Sequence, residues 1–354
     1  MRAQRTARRG RSAGQFGGGA RNVSAVTVLG TFVMRFDLRA PAFGAPIADL
    51  YAAALDMAAW GEEHGFTAVV VSEHHATDDG YLPSPLVVAS AMAARTNHIA
   101  ITVAALLVPL YDPVKLAEDI AVLDLVSRGR VSYVAGLGYR PAEYESLGRP
   151  FAERAREMEA AIALMRRAWK GEPFEHDGRV VHVRPAPCTQ PHPLLCYGGG
   201  SLAAARRAAR LDMPFFPQLR SERLVAEYEA ERARLGLPPG LVISPGAGPL
   251  NVFVSDDPDR TWARIGEHLL HDARSYAQWQ LDAHMDSAAL DTATTVDELR
   301  RNDVYTVVTP DECATLVRTH GSLALHPLCG GIPPHIAWES LELVAAKVRP
   351  QLTG

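Results

Sequence analysis

IAITVAALLVPLYDPVKLAEDIAVLDLVSRGRVSYVAG, residues 99–136, contains a strand, a helix and a second strand in that order. The apolar, β-branched run Ile99–Val108 predicts a buried strand. Asp112 can cap the helix that follows, and Pro113 suits its first position. Arg130–Ala135 is the next predicted strand. Short connections of this kind are typical of parallel strands joined by helices.

The same alternation extends in both directions along the chain. Further strands are predicted at Ala25–Val33, Phe66–Val71, Leu194–Tyr197, Met213–Pro217, within Gly248–Ser255, and at Ser322–Leu325. Further helices are predicted at Pro46–His64, Pro85–Ala94, Glu153–Trp169, Ser201–Leu211, Glu222–Leu235, Pro258–Leu270, Pro310–Thr319 and Pro334–Val348. About eight strand–helix pairs predict an α/β fold of the (β/α)₈ TIM-barrel type. The competing doubly wound sheet calls for a G-x-G-x-x-G after its first strand, and the segment LGTFVMRF has none.

Two regions interrupt this alternation of strands and helices. Residues 171–193 predict a hairpin that turns at Asp177-Gly178, inserted after the fourth helix of the barrel repeat. Residues 271–308 have a mixed pattern, and we expect a loop there before the last strand.

Composition and charge limit the possible functions. The 354 residues are 47% hydrophobic and 21% charged, as in ordinary globular proteins. Residues 1–22 contribute six arginines and no acid to a formal net charge of −4, which leaves −10 for the rest. A body this acidic argues against nucleic-acid binding. We expect residues 1–22 to be a disordered basic extension, without the apolar segment of a secretory signal, and residues 23–354 to be one barrel domain.

Cysteine usage and hydropathy indicate the compartment. The four cysteines form no C-x-x-C pair, which excludes a zinc ribbon and suits a reducing cytosol. No apolar run reaches the roughly 18 residues that a membrane span needs. We therefore expect a cytoplasmic protein without membrane partners.

Three glycines, Gly198, Gly199 and Gly200, follow one predicted strand and precede Ser201 and a helix. Glycines let backbone N–H groups approach a ligand closely, and the start of a helix favours negative charge. The segment therefore predicts a phosphate cradle, with the Ser201 hydroxyl as an additional donor. A tight turn without a ligand is the alternative.

Glu73, His74 and His75 follow the second predicted strand, where a barrel carries its working residues. A histidine there can act as a general base near neutral pH. It could also be a metal ligand, although no second ligand group stands at an obvious spacing, or a hydrogen-bonded histidine without a chemical role. We predict no metal site.

Gly136 and Gly138 end the fourth predicted strand, ahead of Tyr139 and Arg140. Such glycines permit close approach to a flat ring or a phosphate. Tyr139 offers a stacking surface and Arg140 a cation, but a plain turn is equally compatible with this pattern.

Several of these segments resemble one family, the bacterial luciferase-like flavin monooxygenases. They are SEHHATDDGYLPSPL (Ser72–Leu86), the segments Ala104–Arg130 and Pro193–Leu211, GLGYRPAEYESLG from Gly136, and Thr309–Val317. The resemblance extends from about Val26 to Pro350. The ordered motifs are specific for the superfamily and not for a substrate.

The resemblance implies roles for individual residues. His74 matches the histidine regarded as the catalytic base, and Glu73 and His75 flank it. Ala104-Ala105 matches a position that often has a non-prolyl cis peptide beneath the flavin ring. Gly199, Gly200 and Ser201 match the segment that holds the flavin phosphate, and Lys115 matches a position, often Arg, that assists it. A second phosphate-binding arginine of the luciferases falls at or near Ser132 in this chain, so phosphate affinity is expected to be modest.

The resemblance also implies an activity. It is a monooxygenase that uses reduced FMN, supplied by a separate NAD(P)H flavin reductase, and molecular oxygen to oxidise a small organic substrate. The alternatives are a deazaflavin-dependent hydride-transfer oxidoreductase on the same barrel and a flavin-binding paralogue without turnover. Homodimers through helices Pro46–His64 and Pro113–Ser127 are expected, and residues 271–308 correspond to a mobile active-site loop.

Overall fold

Strands and helices alternate along the chain. A computed structural model describes residues 31–244, 248–283, 290–302 and 304–352. The predicted basic extension, residues 1–22, lies outside the described residues. The strands are β1 (Thr31–Phe36), β2 (Ala68–Val71), β3 (Ala100–Leu106), β4 (Val131–Ala135), β5 (Phe174–His176), β6 (Arg179–Val181), β7 (Leu195–Gly199), β8 (Phe215–Pro217), β9 (Asn251–Val254), β10 (Tyr305–Val308) and β11 (Ser322–Leu325).

The helices mostly lie where the apolar periodicity predicts them. They are α1 (Ile47–Glu63), α2 (Pro85–Arg95), α3 (Pro113–Ser127), α4 (Pro141–Ser146), α5 (Arg154–Ala168), α6 (Leu202–Arg210), α7 (Glu222–Arg234), α8 (Pro258–Asp282), α9 (Val296–Arg301), α10 (Pro310–His320) and α11 (Pro334–Leu343). Asp112 caps α3 by accepting from the amides of Val114 and Lys115. Thr309 and Glu312 form the capping box of α10. Among the described residues, no helix is both long and apolar enough to span a membrane.

Nine strands form one parallel sheet in the order β10-β9-β11-β1-β2-β3-β4-β7-β8. The predicted parallel α/β architecture is confirmed. No ladder joins the end strands β8 and β10 within the described residues, so closure of the barrel stays a prediction. β5 and β6 pair separately as an antiparallel hairpin around Asp177-Gly178.

Each strand buries one face against the helices. Phe32, Met34 and Phe36 of β1 are fully buried, and Met34 packs against Gly61 of α1. The alternate residues of the strands point to the opposite face of the sheet, which we call the inner face. Because all strands of the sheet are parallel, their carboxyl ends lie at one edge.

The structure corrects two predicted boundaries and adds one strand. The first strand continues to Phe36, beyond the predicted end at Val33, and its predicted start at Ala25 lies outside the described residues. The helix predicted to end at Leu270 continues to Asp282, so the region predicted as a loop begins as a helix and also contains β10. Buried residues Asp272, Ala273, Tyr276, Ala277 and Gln280 continue the helical spacing beyond Leu270.

Candidate active site

The predicted site segments meet at the carboxyl edge of the sheet. Glu73-His74-His75 follow β2, Gly136 follows β4, and Gly198–Ser201 span the end of β7 and the start of α6. Because β2, β3, β4 and β7 are consecutive neighbours in the sheet, these segments lie side by side.

His74 is buried and forms a hydrogen bond with Glu143. Nδ1 of His74 lies 2.7 Å from Oε1 of Glu143. Since a carboxylate only accepts, Nδ1 carries the proton, and Nε2 of the neutral ring keeps the lone pair of a base. Burial holds the pKa of His74 below its usual value, although the hydrogen bond and charge of Glu143 act in the opposite direction. The ring is therefore neutral at physiological pH.

Glu143 is a site residue that sequence reasoning missed. Its side chain has no exposed area, and Oε1 also accepts from the His75 amide at 3.1 Å and from Arg140 at 3.3 Å. Burial opposes its ionisation, but His74, the His75 amide and Arg140 together outweigh this effect and lower the pKa of Glu143. It lies on α4, which had not been predicted, 69 residues from His74. The motif PAEYES contains the glutamate, but nothing in the sequence pairs it with the histidine.

Glu73 connects β2 to the segment after β3. Its carboxylate accepts from the Leu107 amide at 2.7 Å, from the Tyr111 hydroxyl at 2.6 Å and from Nε2 of His75 at 2.8 Å. Burial acts to lower the pKa of His75, but the hydrogen bond and charge of Glu73 raise it above its usual value. Both predicted residues are at the site, where they fix the backbone around His74.

Small residues lie at the neighbouring strand ends beside this group. The Ala104-Ala105 peptide is cis, as the resemblance implied, and both alanines are partly exposed. A Cβ on Gly136 would lie 2.7 Å from Cβ of Ala105, and one on Gly198 would lie 2.7 Å from Cγ1 of Val134. Gly138, which lies between Gly136 and Arg140 in the sequence, has a φ of 68°. Gly136 and Gly198 therefore permit close packing of neighbouring strand ends.

Ser201 begins α6, and its hydroxyl accepts from the Ala204 amide at 3.2 Å. The hydroxyl keeps its own proton for donation to a ligand. Gly199 and Gly200 are partly exposed and Ser201 is exposed, at the start of a helix whose first turn contains no acid. A Cβ on Gly199 would lie 2.6 Å from Cβ of Ala204, so close packing requires this glycine as well.

The two predicted cations have different environments. Arg140 donates to the carbonyl oxygens of His75 at 2.6 Å and Ala76 at 3.2 Å, within the His74 group. Lys115 is exposed on α3 and forms an ion pair with Asp119. The structure therefore joins Arg140 to the other site residues, whereas it records no contact between Lys115 and any of them.

Aromatic side chains surround the imidazole of His74. The ring centroids of Tyr81, Trp279, Tyr139 and Tyr276 lie 4.8, 4.9, 5.5 and 6.2 Å from that of His74. The Tyr139 hydroxyl is 3.4 Å from Nε2 of His74. Tyr276 and Trp279 belong to the part of α8 that the sequence had predicted as a loop.

A buried ion-pair network lies next to this aromatic group. Arg39 is fully buried and contacts Asp79 at 2.6 Å, Asp272 at 3.1 Å and Asp37 at 3.5 Å. Burial opposes ionisation of Asp37, but the charge and hydrogen bond of His326, with the charge of Arg39, lower its pKa to about 2. Guanidinium groups of Arg39 and Arg140 lie 4.6 and 4.2 Å from the ring of Trp279.

Asp272, His326 and Cys329 place potential ligand atoms within 4.8 Å of one another. One Asp272 oxygen contacts Arg39, and the other accepts from the Tyr305 hydroxyl at 2.7 Å. A cation there would have to displace a buried guanidinium, so this cluster is an ion-pair network.

Comparisons with known proteins agree on one family. The family model for luciferase-like monooxygenases matches residues 34–325. The oxygenase component of the flavin-dependent trigonelline monooxygenase of Acinetobacter baylyi is 29% identical over 154 residues, covering 41% of this chain and 42% of that protein. The chain thus matches less than half the length of the first curated relatives.

Solved structures share the fold. The FMN complex of the oxygenating constituent of 3,6-diketocamphane monooxygenase from Pseudomonas putida has a TM-score of 0.67 and 19% identity, covering 92% of this chain and 99% of that one. An F420-dependent secondary alcohol dehydrogenase has a TM-score of 0.64 and 15% identity, covering 90% and 98%.

Proposed function

Because the chain belongs to the luciferase-like monooxygenase family, we propose that it is a flavin-dependent monooxygenase. It uses reduced FMN and molecular oxygen to oxidise a small organic substrate, with His74 as the general base. One observation carries this proposal: a neutral, buried His74 whose Nδ1 is held by Glu143, so that Nε2 is the basic atom. A base with a controlled tautomer and a pKa near or below neutrality suits proton transfer at physiological pH.

The residues at the carboxyl edge fit a flavin. Ala104 and Ala105 are partly exposed and have small side chains, so a planar ring could lie close to the backbone there. The backbone of Gly199 and Gly200 and the Ser201 hydroxyl would hold the phosphate at the start of α6. When bound, reduced FMN supplies the electrons and activates the oxygen.

The chain supplies orientation and proton transfer. Glu143 fixes the ring of His74, so that Nε2 can take a proton from the reacting group and return it. Tyr81, Tyr139 and Trp279 limit access of water to the imidazole. Arg140 binds the backbone of residues 75 and 76 and keeps the β2 end in place.

Partners follow from the same proposal. Electrons come from a separate NAD(P)H flavin reductase, as the designation "oxygenase component" of the relative suggests. Exposed apolar residues Ile47 on α1 and Val122, Leu125 and Val126 on α3 support a homodimer through these helices. The four cysteines are free, which favours the cytoplasm.

The test is turnover with reduced FMN, oxygen and a panel of small organic substrates, measured as substrate-dependent oxygen consumption. We expect His74→Ala to lower the rate by about 10²–10⁴-fold, the range of general-base catalysis. His176→Ala, on the β5–β6 hairpin, is the matched control and keeps full activity. Full activity of His74→Ala would refute the assigned role.

Coenzyme choice is tested in parallel. The chain is titrated with FMN and with the deazaflavin F420, because the fold is shared with an F420-dependent enzyme. Binding of F420 alone, with hydride transfer and no oxygen consumption, would replace the proposal with the hydride-transfer alternative. Tight flavin binding without any turnover would favour a non-catalytic paralogue.

A further inference from the structure

Both ring nitrogens of His74 have a partner in the short segment 139–143. Oε1 of Glu143 lies 2.7 Å from Nδ1, and the Tyr139 hydroxyl lies 3.4 Å from Nε2. Tyr139 follows Gly138, which has a φ of 68°, and Glu143 lies in the first turn of α4. One turn of chain at the end of β4 therefore contacts the imidazole at both nitrogens.

The direction of the Tyr139 hydrogen bond follows from the protonation of the ring. Because Nδ1 donates to Glu143, Nε2 of the neutral ring has only a lone pair, and the hydroxyl must be the donor. Burial, together with the nearby Tyr81 and Glu143, raises the pKa of Tyr139 well above its usual value. The hydroxyl therefore keeps its proton throughout the physiological range. Within the described part of the chain, Nε2 of His74 is the partner recorded for this hydroxyl.

The two hydrogen bonds on the ring differ in strength. The bond to Glu143 is short and has a charged acceptor, whereas the bond from Tyr139 is long and joins two neutral groups. His74 is only 7% exposed, so a reacting group reaches Nε2 by replacing a neighbour. The Tyr139 hydroxyl is the recorded contact of that nitrogen, and its weak bond gives way more easily than the bond of Glu143.

A hydroxyl that donates to Nε2 also changes the proton affinity of the base. Its hydrogen bond forms only with the neutral ring, because a protonated Nε2 has no lone pair, so it lowers the pKa of His74. Glu143 stabilises the protonated ring and acts in the opposite direction. The other charged or titratable groups that act on the ring or contact it are Arg39, Arg140, Tyr81 and Tyr276. All of them stay in place when only the Tyr139 hydroxyl is removed.

We propose that Tyr139 is a positioning residue for the general base: its hydroxyl donates to Nε2 of His74, keeps that nitrogen unprotonated, and leaves it when a reacting group takes its place. This inference rests on the proposed function, because it concerns the base of the same site. It gives the hydroxyl of Tyr139 a role that stacking on a flat ring, the use that the sequence suggests, does not require.

Nuclear magnetic resonance of the full chain, with isotope-labelled histidine and without flavin, tests the inference. The signal of His74 is identified among the 13 histidines by its loss in His74→Ala. Tyr139→Phe should raise the pKa of His74 by about half a unit, the effect of one weak hydrogen bond between neutral groups. Glu143→Gln should lower the same pKa. Tyr51→Phe, the same change on α1, is the matched control and should leave it unchanged.

Turnover gives a second measurement of the same effect. With reduced FMN, oxygen and a substrate, the acid limb of the pH–rate profile should move to higher pH in Tyr139→Phe, by the shift that resonance measures. A tyrosine that only packs against the ring would change the rate without moving this limb.

The results separate the role of Tyr139 from the proposed function. A wild-type ring that is protonated on Nε2, or whose Nε2 accepts no hydrogen bond, overturns the inference even if Tyr139→Phe fails to fold. A His74 pKa that is unchanged or lowered in Tyr139→Phe also overturns it, and the proposed function stands if substrates still turn over. If the pKa rises but no substrate is oxidised by the wild-type chain, the positioning role stands and the proposed function fails.

Discussion

Replacing Glu143 with glutamine tests the arrangement around His74 most directly. The substitution keeps the size of the side chain and removes its charge. Oε1 of Glu143 accepts three hydrogen bonds, from His74, the His75 amide and Arg140, in a fully buried position. A glutamine oxygen can keep these contacts, so the variant isolates the effect of the charge.

The expected loss of unfolding free energy follows from those three hydrogen bonds. A bond to a buried carboxylate is stronger than one to a neutral amide by about 1 kcal/mol, so the variant should lose roughly 2–3 kcal/mol of unfolding free energy. Because the folded state lowers the pKa of Glu143 below 4.5, its contribution is present above that pH and is lost as the pH falls through the folded pKa. The stability difference between the two proteins should therefore shrink in acid.

The pKa of His74 should also respond to the Glu143→Gln substitution. Burial lowers the pKa of His74 and Glu143 raises it, so removal of the Glu143 charge should lower this pKa further. The neutral base would then persist to lower pH, and the acid limb of a pH–rate profile would move in that direction. NMR titration of the His74 ring measures the shift directly and needs no substrate. Glu145→Gln, an exposed change on the same helix, is the control.

Two results would refute this reasoning. One is a His74 pKa that is unchanged or raised in Glu143→Gln, which would mean that the carboxylate does not act on the ring. The other is an equal loss of stability in Glu143→Gln and Glu145→Gln, since the second residue has no buried bonds to lose.

Three further outcomes are expected. Glu73→Ala leaves the buried Leu107 amide without its acceptor and should lower the unfolding free energy by roughly 2–4 kcal/mol, measured by urea denaturation. Gly136→Ala places a Cβ 2.7 Å from that of Ala105 and should cost about 1–3 kcal/mol and weaken FMN binding in a fluorescence titration; unchanged FMN affinity would count against the proposed flavin surface. Asp37 has a folded pKa of about 2 against 3.8 unfolded, so its stabilisation is present above pH 3.8 and is lost between there and pH 2; acid titration of Asp37→Asn should show a flatter curve in that window than wild type.

The sequence predicts what local rules determine. Strand and helix order follows from apolar periodicity, and the caps of α3 and α10 follow from Asp112 and from the Thr309–Glu312 pair. His74 could be proposed because it follows a strand, where a barrel has its functional residues. None of these inferences requires a contact between distant segments.

The parts that could not be predicted depend on such contacts. The apolar periodicity of α8 is interrupted after Leu270 because the polar residues Asp272 and Gln280 occupy buried positions. Asp272 can be buried because Arg39, more than 200 residues earlier, contacts its carboxylate at 3.1 Å. When the buried face of a helix contains a charged residue whose partner lies far away in the sequence, apolar periodicity alone cannot identify the helix. The boundary error and the missed Tyr276 and Trp279 have this common cause.

Trp279 shows why the buried charges matter for the site. Its ring contacts the guanidinium groups of both Arg39 and Arg140. Arg140 belongs to the His74 group, and Arg39 holds α8 through Asp272. A buried arginine is tolerated only with its carboxylate partners in place, so the ion pairs fix the end of α8 over the imidazole. The Trp279 ring, which restricts water at His74, is thus positioned by charges on the segment after β1 and on α8. This explains why the enclosed proton-transfer site has a buried polar network next to its aromatic side chains.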